Sequence, residues 1–95
     1  MKKKVVKFSK EQCPHCKIFE PIFKEVIEDF KDNIDFYEIS LDESPFFRDI
    51  FNIKGVPSVY TFDTDDFESF SNIEQLVIGH SHEGYKELRS SLSNL

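Results

Sequence analysis

Tryptophan is absent from this 95-residue chain, so the usual intrinsic fluorescence probe is missing. No apolar run comes near the length of a bilayer-crossing segment, so no membrane partner is expected. Basic residues are outnumbered: 12 Lys and Arg stand against 18 Asp and Glu, and the resulting net charge of −6 argues against nucleic acid. Lys2, Lys3 and Lys4 imitate the charged start of a signal peptide, but the stretch that follows is broken by Lys7 and Lys10. A cytoplasmic setting is therefore expected. No linker, repeat or low-complexity tract interrupts the chain, and its length suits one domain over residues 1–95 with no room for a second. There are only two cysteines, Cys13 and Cys16. As half of a structural zinc site they would need two more ligands from His15, His80 and His82, and no metal is expected. A purely structural disulfide between them would close only a tiny loop.

What the chain does have is phenylalanine, eleven in all, which supplies much of the apolar volume and signals core. It also has Cys13-Pro14-His15-Cys16 at a strand-to-helix junction. KKVVKF (residues 3–8) suits a strand, and Ile18, Phe19, Ile22, Phe23, Val26, Ile27 and Phe30 recur at helical spacing. Pro14 fits the first helical position, which puts Cys13 at the cap with unpaired backbone N–H groups directed at its sulfur. Those donors and the positive helix end favour thiolate, the nucleophilic form. Cys16, one turn on, lies on the same face, is expected to be the more enclosed, and can attack a mixed disulfide formed at Cys13. In a reducing compartment such a pair is catalytic rather than structural.

Beyond the first helix, IDFYEISL (residues 34–41) alternates as a second strand. Ser44 caps and Pro45 opens a short helix through about Phe51, SVYTF (residues 58–62) is a third strand and NIEQLVIG (residues 72–79) a fourth. A last helix begins near Ser81, with Tyr85, Leu88 and Leu92 on one face. Asp63, Asp65, Asp66 and Glu68 read as a solvated turn between strands three and four. The order βαβαββα implies a parallel crossover first and an antiparallel hairpin later, in a mixed four-stranded sheet flanked by helices. Pro21, inside the first helix, is expected to kink it near Lys17, a geometrical role only.

With these landmarks the chain resembles the thioredoxin family over nearly its whole length, a CxxC beside a βαβ pattern being a sign of that fold. Cys13 and Cys16 match the nucleophilic and resolving cysteines, Lys17 the basic residue after them, and Pro21 the kinking proline of the active-site helix. Asp42 matches the acid ending strand two, Val56-Pro57 the bond before the cis-proline that faces the cysteines, and Gly79 the glycine closing strand four. The resemblance implies a cis Pro57, with Gln12, Val56, Pro57 and Gly79 around the client, the Val56 backbone pairing with the client's backbone. It also implies a thioredoxin-like α/β fold without the family's extra N-terminal strand and helix.

Two departures stand out. Gln12 replaces the tryptophan the family usually carries before the first cysteine, so the rim is less apolar. Lys7 and Glu38 stand where the family tends to carry a buried acid and its lysine, and they read as the same pair with charges exchanged; an exposed surface ion pair is the alternative. The dipeptide Pro14-His15 resembles that of the oxidant DsbA, where the histidine stabilises the thiolate. An intermediate reduction potential follows, between about −270 mV for thioredoxin and about −120 mV for DsbA.

The expectation is a monomeric dithiol–disulfide oxidoreductase with no cofactor beyond its own redox-active cysteines. It acts on disulfide-containing client proteins and is reduced by a thioredoxin-reductase-type donor. Two alternatives stay open: a glutaredoxin-like, glutathione-dependent enzyme, and a non-enzymatic docking module of the same fold. Against the first, residues 79–84 lack the paired glycines and following acid that glutaredoxins use for glutathione. Against the second, both cysteines are retained.

Overall fold

Four consecutive buried residues, Val5, Val6, Lys7 and Phe8, make strand β1 (Lys3–Ser9) an interior strand, because alternate side chains must enter a core on each side of the sheet. The computed structural model describes residues 3–65, 68–78 and 82–94. After β1 come α1 (Pro14–Phe30), β2 (Ile34–Ser40), α2 (Phe47–Ile50), β3 (Ser58–Asp65), β4 (Ser69–Ile78) and α3 (His82–Ser93). The strands form one sheet in the order β2-β1-β3-β4. β1 and β2 run parallel with Lys7 opposite Glu38, whereas β1 and β3 run antiparallel with Phe8 opposite Ser58. β3 and β4 form the antiparallel hairpin that the sequence implied.

The sheet carries a core on each face. On one side Val5, Ile34 and Val59 pack with Phe19, Phe23 and Val26 of α1 and with Leu88 and Leu92 of α3. On the other, Val6, Phe8, Tyr60 and Phe62 pack with Leu41, Phe51 and Ile53 around α2. This second core is aromatic: the Phe51 ring lies 5.0 Å from Phe8 and 5.6 Å from both Tyr60 and Phe62, each edge-on. An ion pair from Arg89 to Asp29, 2.6 Å long, ties α3 to α1.

Several boundaries differ from those read in the sequence. α2 starts at Phe47, and Ser44 does not cap it with its side chain; the Ser44 and Pro45 carbonyls instead accept from Phe47 and Arg48 N–H in i to i+3 turns that lead into the helix. β4 starts three residues before Asn72, and β3 runs on through Asp63 to Asp65, so these two acids belong to the hairpin strands and not to a turn. As read from the sequence, Pro21 lies inside α1; it sits on the exposed side, where water can satisfy the freed carbonyl. Ile18 is 53% exposed despite fitting the apolar spacing, because it stands beside the stripe of Cys16, Phe19, Phe23 and Val26 that meets the sheet. In α3, Leu88 and Leu92 are buried as expected; the Tyr85 side chain lies outside the described residues.

Candidate active site

β1 ends at Ser9, and a loop of three residues carries the chain to Cys13, the N-cap of α1. Cys13 is extended (φ −138°, ψ 97°), and its carbonyl already accepts from Lys17 N–H at 3.2 Å. Pro14 occupies the start of the helix, where a missing N–H leaves nothing unpaired. Cys13 Sγ accepts a hydrogen bond from Cys16 N–H at 3.1 Å. The sulfur therefore does what a serine or aspartate oxygen does at an ordinary cap, and the same donor would stabilise a thiolate there. No acidic residue in the first turn opposes it.

Cys13 and Cys16 are joined as a disulfide with their Cα atoms 5.2 Å apart. At 8% and 6% exposure they are almost equally enclosed, so the expected contrast between them is slight in the disulfide. His15 between them is exposed, as are Gln12 and Lys17.

The loop before Cys13 is held from across the molecule. Glu11 N–H donates to Asp42 Oδ2 at 2.6 Å, and just below it Leu41 N–H donates to Ser9 O at 2.8 Å. Lys10, Glu11, Gln12 and Asp42 line a shallow polar depression beside the dithiol. Sequence reasoning marked Asp42 only as the end of a strand. Its grip on Glu11 spans 31 positions, so no local spacing could signal it.

The Val56–Pro57 peptide bond is cis. Pro57 is buried, Val56 is half-buried against the aromatic core, and Ser58 directly after them pairs with Phe8 near the end of β1 that leads to Cys13. Gly79 and His80 lie outside the described residues; His82 opens α3, and nothing is described of its side chain.

Lys7 and Glu38 do meet: Nζ lies 2.9 Å from Oε1. They are not an exposed surface pair. The Lys7 side chain is 6% exposed and the Glu38 side chain 45%, and the ammonium sits 5.3 Å from the centroid of the Phe23 ring. The parallel register of β1 and β2 places the two at the same level, and β1 lies between β2 and β3, which buries the lysine.

Comparison with known proteins places this geometry. The family model described as Thioredoxin matches residues 1–78. Chloroplastic thioredoxin M4 of Arabidopsis thaliana is 34% identical over 58 residues, 61% of this chain and 30% of that protein. A thioredoxin of Buchnera aphidicola subsp. Schizaphis graminum is 29% identical over 58 residues, 61% of this chain and 54% of its own. The chain thus spans about a third to a half of the length of these curated relatives. Among solved structures, oxidised mitochondrial thioredoxin 3 of Saccharomyces cerevisiae superposes over 98% of this chain and 78% of its own with a TM-score of 0.75 at 20% identity, a likeness of fold.

Proposed function

Because this chain belongs to the thioredoxin family, we propose that it is a thiol–disulfide oxidoreductase that reduces or exchanges disulfides in client proteins. The observation that carries the reading is the cap geometry: a sulfur at the helix N-terminus, bonded by a backbone N–H, with its disulfide partner one turn away. In the reduced protein the Cys13 thiolate attacks one sulfur of a client disulfide and expels the other as a thiolate, which takes up a proton. Cys16, deprotonated, then attacks Cys13 Sγ, releases the second client sulfur as a thiol, and leaves the Cys13–Cys16 disulfide. The client has gained two electrons and the protein has lost them. A thioredoxin-reductase-type donor would restore the dithiol, and no bound cofactor enters the cycle.

The residues around the dithiol take supporting parts in this reading. Pro14 starts the helix that presents the thiolate, and Val56 offers its backbone to an extended client beside Pro57. Exposed Gln12 lies on the rim beside them. His15 adds positive charge near the Cys13 thiolate when protonated, stabilising the reduced form and raising the potential above that of a typical thioredoxin. The protein would act as a monomer in the cytoplasm.

The test is turnover of a disulfide-bonded protein such as insulin with dithiothreitol as donor. Cys13→Ser is expected to abolish turnover, and Cys16→Ser to stall with a client mixed disulfide on Cys13 that mass spectrometry detects. Full turnover by Cys13→Ser would end the reading. The reduction potential of the wild type, from thiol trapping in glutathione buffers, is expected to lie tens of millivolts above about −270 mV and to fall in His15→Gly.

A further inference from the structure

Lys7 is the one charged side chain in the buried set among the described residues. Placing an ammonium in a low-dielectric interior is costly unless something compensates it, and here the compensation is lopsided. From β2, Glu38 supplies a carboxylate at 2.9 Å, but its side chain is 45% exposed and water screens its field. From α1 comes the face of the Phe23 ring, and from β3 the residue paired with Lys7 is Val59, with Thr61 next along opposite Val5, none of which carries charge. A weakly screened cation paired with a better-screened anion leaves net positive potential on the protein side of the pair.

That side is the one the dithiol occupies. Val5 and Val59 beside Lys7 face α1, and the buried residues of α1 are Cys16, Phe19, Phe23 and Val26 in one stripe. Cys16 and the Phe23 ring beneath which the ammonium lies are thus on the same helix face, two turns or about 10 Å of axis apart. Helical side chains lean toward the helix N-terminus, the end that carries the cysteines, and the Phe23 ring lies 5.8 Å from that of Phe19. Protein, not solvent, fills the interval, since Phe19 at 1% exposure lies between.

Deepening the oxidoreductase reading and resting on it, we propose that Lys7 is a positioning residue for charge: a buried cation that favours the Cys13 thiolate, with Glu38 as its attenuator. Reduction of the Cys13–Cys16 disulfide takes up two electrons and one proton and yields one thiolate and one thiol. The disulfide is neutral and indifferent to the cation, whereas the thiolate is stabilised by it. Lys7 therefore raises the reduction potential as well as lowering the Cys13 pKa. The other charges around the dithiol, Lys10, Glu11, Lys17, His15 and Asp42, are exposed and act equally in any Lys7 or Glu38 variant.

The experiment needs neither client nor reductase. In a Cys16→Ser background, the pH dependence of Cys13 alkylation by iodoacetamide gives the thiol pKa; in the two-cysteine protein, glutathione buffers give the potential. Lys7→Met is expected to raise the pKa by about half to one unit, lowering the thiolate fraction near neutral pH severalfold, and to lower the potential. Glu38→Gln is expected to do the reverse. A purely structural pair predicts no such opposite signs. The proposal is overturned if both variants move the pKa the same way, or if a folded Lys7→Met leaves it unchanged. Should Lys7→Met fail to fold by circular dichroism, Glu38→Gln decides alone: a fall in the Cys13 pKa supports the proposal, and no change or a rise overturns it. Absent insulin turnover in the wild type would sink the oxidoreductase reading without touching these shifts.

Discussion

Tyr60 carries its hydroxyl into the aromatic core, where neither it nor the nearby Ser58 hydroxyl has a hydrogen bond of ordinary geometry. Burial pushes the Tyr60 pKa above its ordinary 10.0, and the proximity of Ser58 offsets that in part. The sign of the linkage follows. A raised folded-state pKa means that the native state holds its proton longer than the unfolded chain, so the stabilising contribution is full below about pH 10 and is lost as pH rises through the folded-state value. Tyr60→Phe is expected to flatten the decline of the urea midpoint above about pH 10. At neutral pH it should equal or exceed wild type by up to about 1 kcal/mol, since an unpaired hydroxyl leaves the interior. Urea titrations of both proteins at neutral and alkaline pH check both. At this scale much of the site was legible: a cysteine followed by proline and an apolar helix is a cap by local rules alone. The burial of Lys7 was legible only through the family resemblance, which left an exposed pair open; local spacing could not decide it, because exposure depends on which strand lies on each side, and the order β2-β1-β3-β4 is not written in any local stretch.

Among the elements, the β3–β4 hairpin departs furthest from its reading. Its register slips twice, between Val59 and Tyr60 and between Thr61 and Asp63. At the second slip Asn72 adopts φ 51°, a left-handed backbone, and its side-chain amide donates to Asp63 Oδ2 at 2.7 Å. The extra residue resets the alternation of β4, so that Phe70 and Ile73, three apart, both pack on the aromatic core. A strict period of two therefore fails across Asn72, which is why the strand was read as beginning there. Asparagine tolerates this backbone better than a residue with an unassisted Cβ. Asn72→Gly is expected to hold stability within about 0.5 kcal/mol, the backbone relief offsetting the lost exposed bond, whereas Asn72→Ala costs about 1–2 kcal/mol. Thermal melts of the two variants should rank in that order, and an Ala variant as stable as wild type would remove the bulge from the account. α2 was foreseen in kind but not in extent, since a serine-proline start can lead either into a capped helix or, as here, into successive turns.

For the molecule as a whole, the net charge of −6 sets a long-range preference that no single contact carries. Basic clients are expected to be reduced faster than acidic ones at low ionic strength, the difference shrinking severalfold between about 20 and 500 mM salt as screening shortens the field. Rates on two disulfide peptides of opposite charge check this, and salt-independent rates would discount the charge. The sequence by itself determined the element order, the apolar stripe of α1 and the capping cysteine, because each depends on residues within a turn or a strand of one another. Only the tertiary structure decided that Asp42 would hold the loop before Cys13, that Asn72 would reset a strand, and that a lysine would lie buried on the dithiol's side of the sheet. Those outcomes depend on which strands become neighbours, and neighbours across a sheet are chosen by packing of the whole chain rather than by spacing along it.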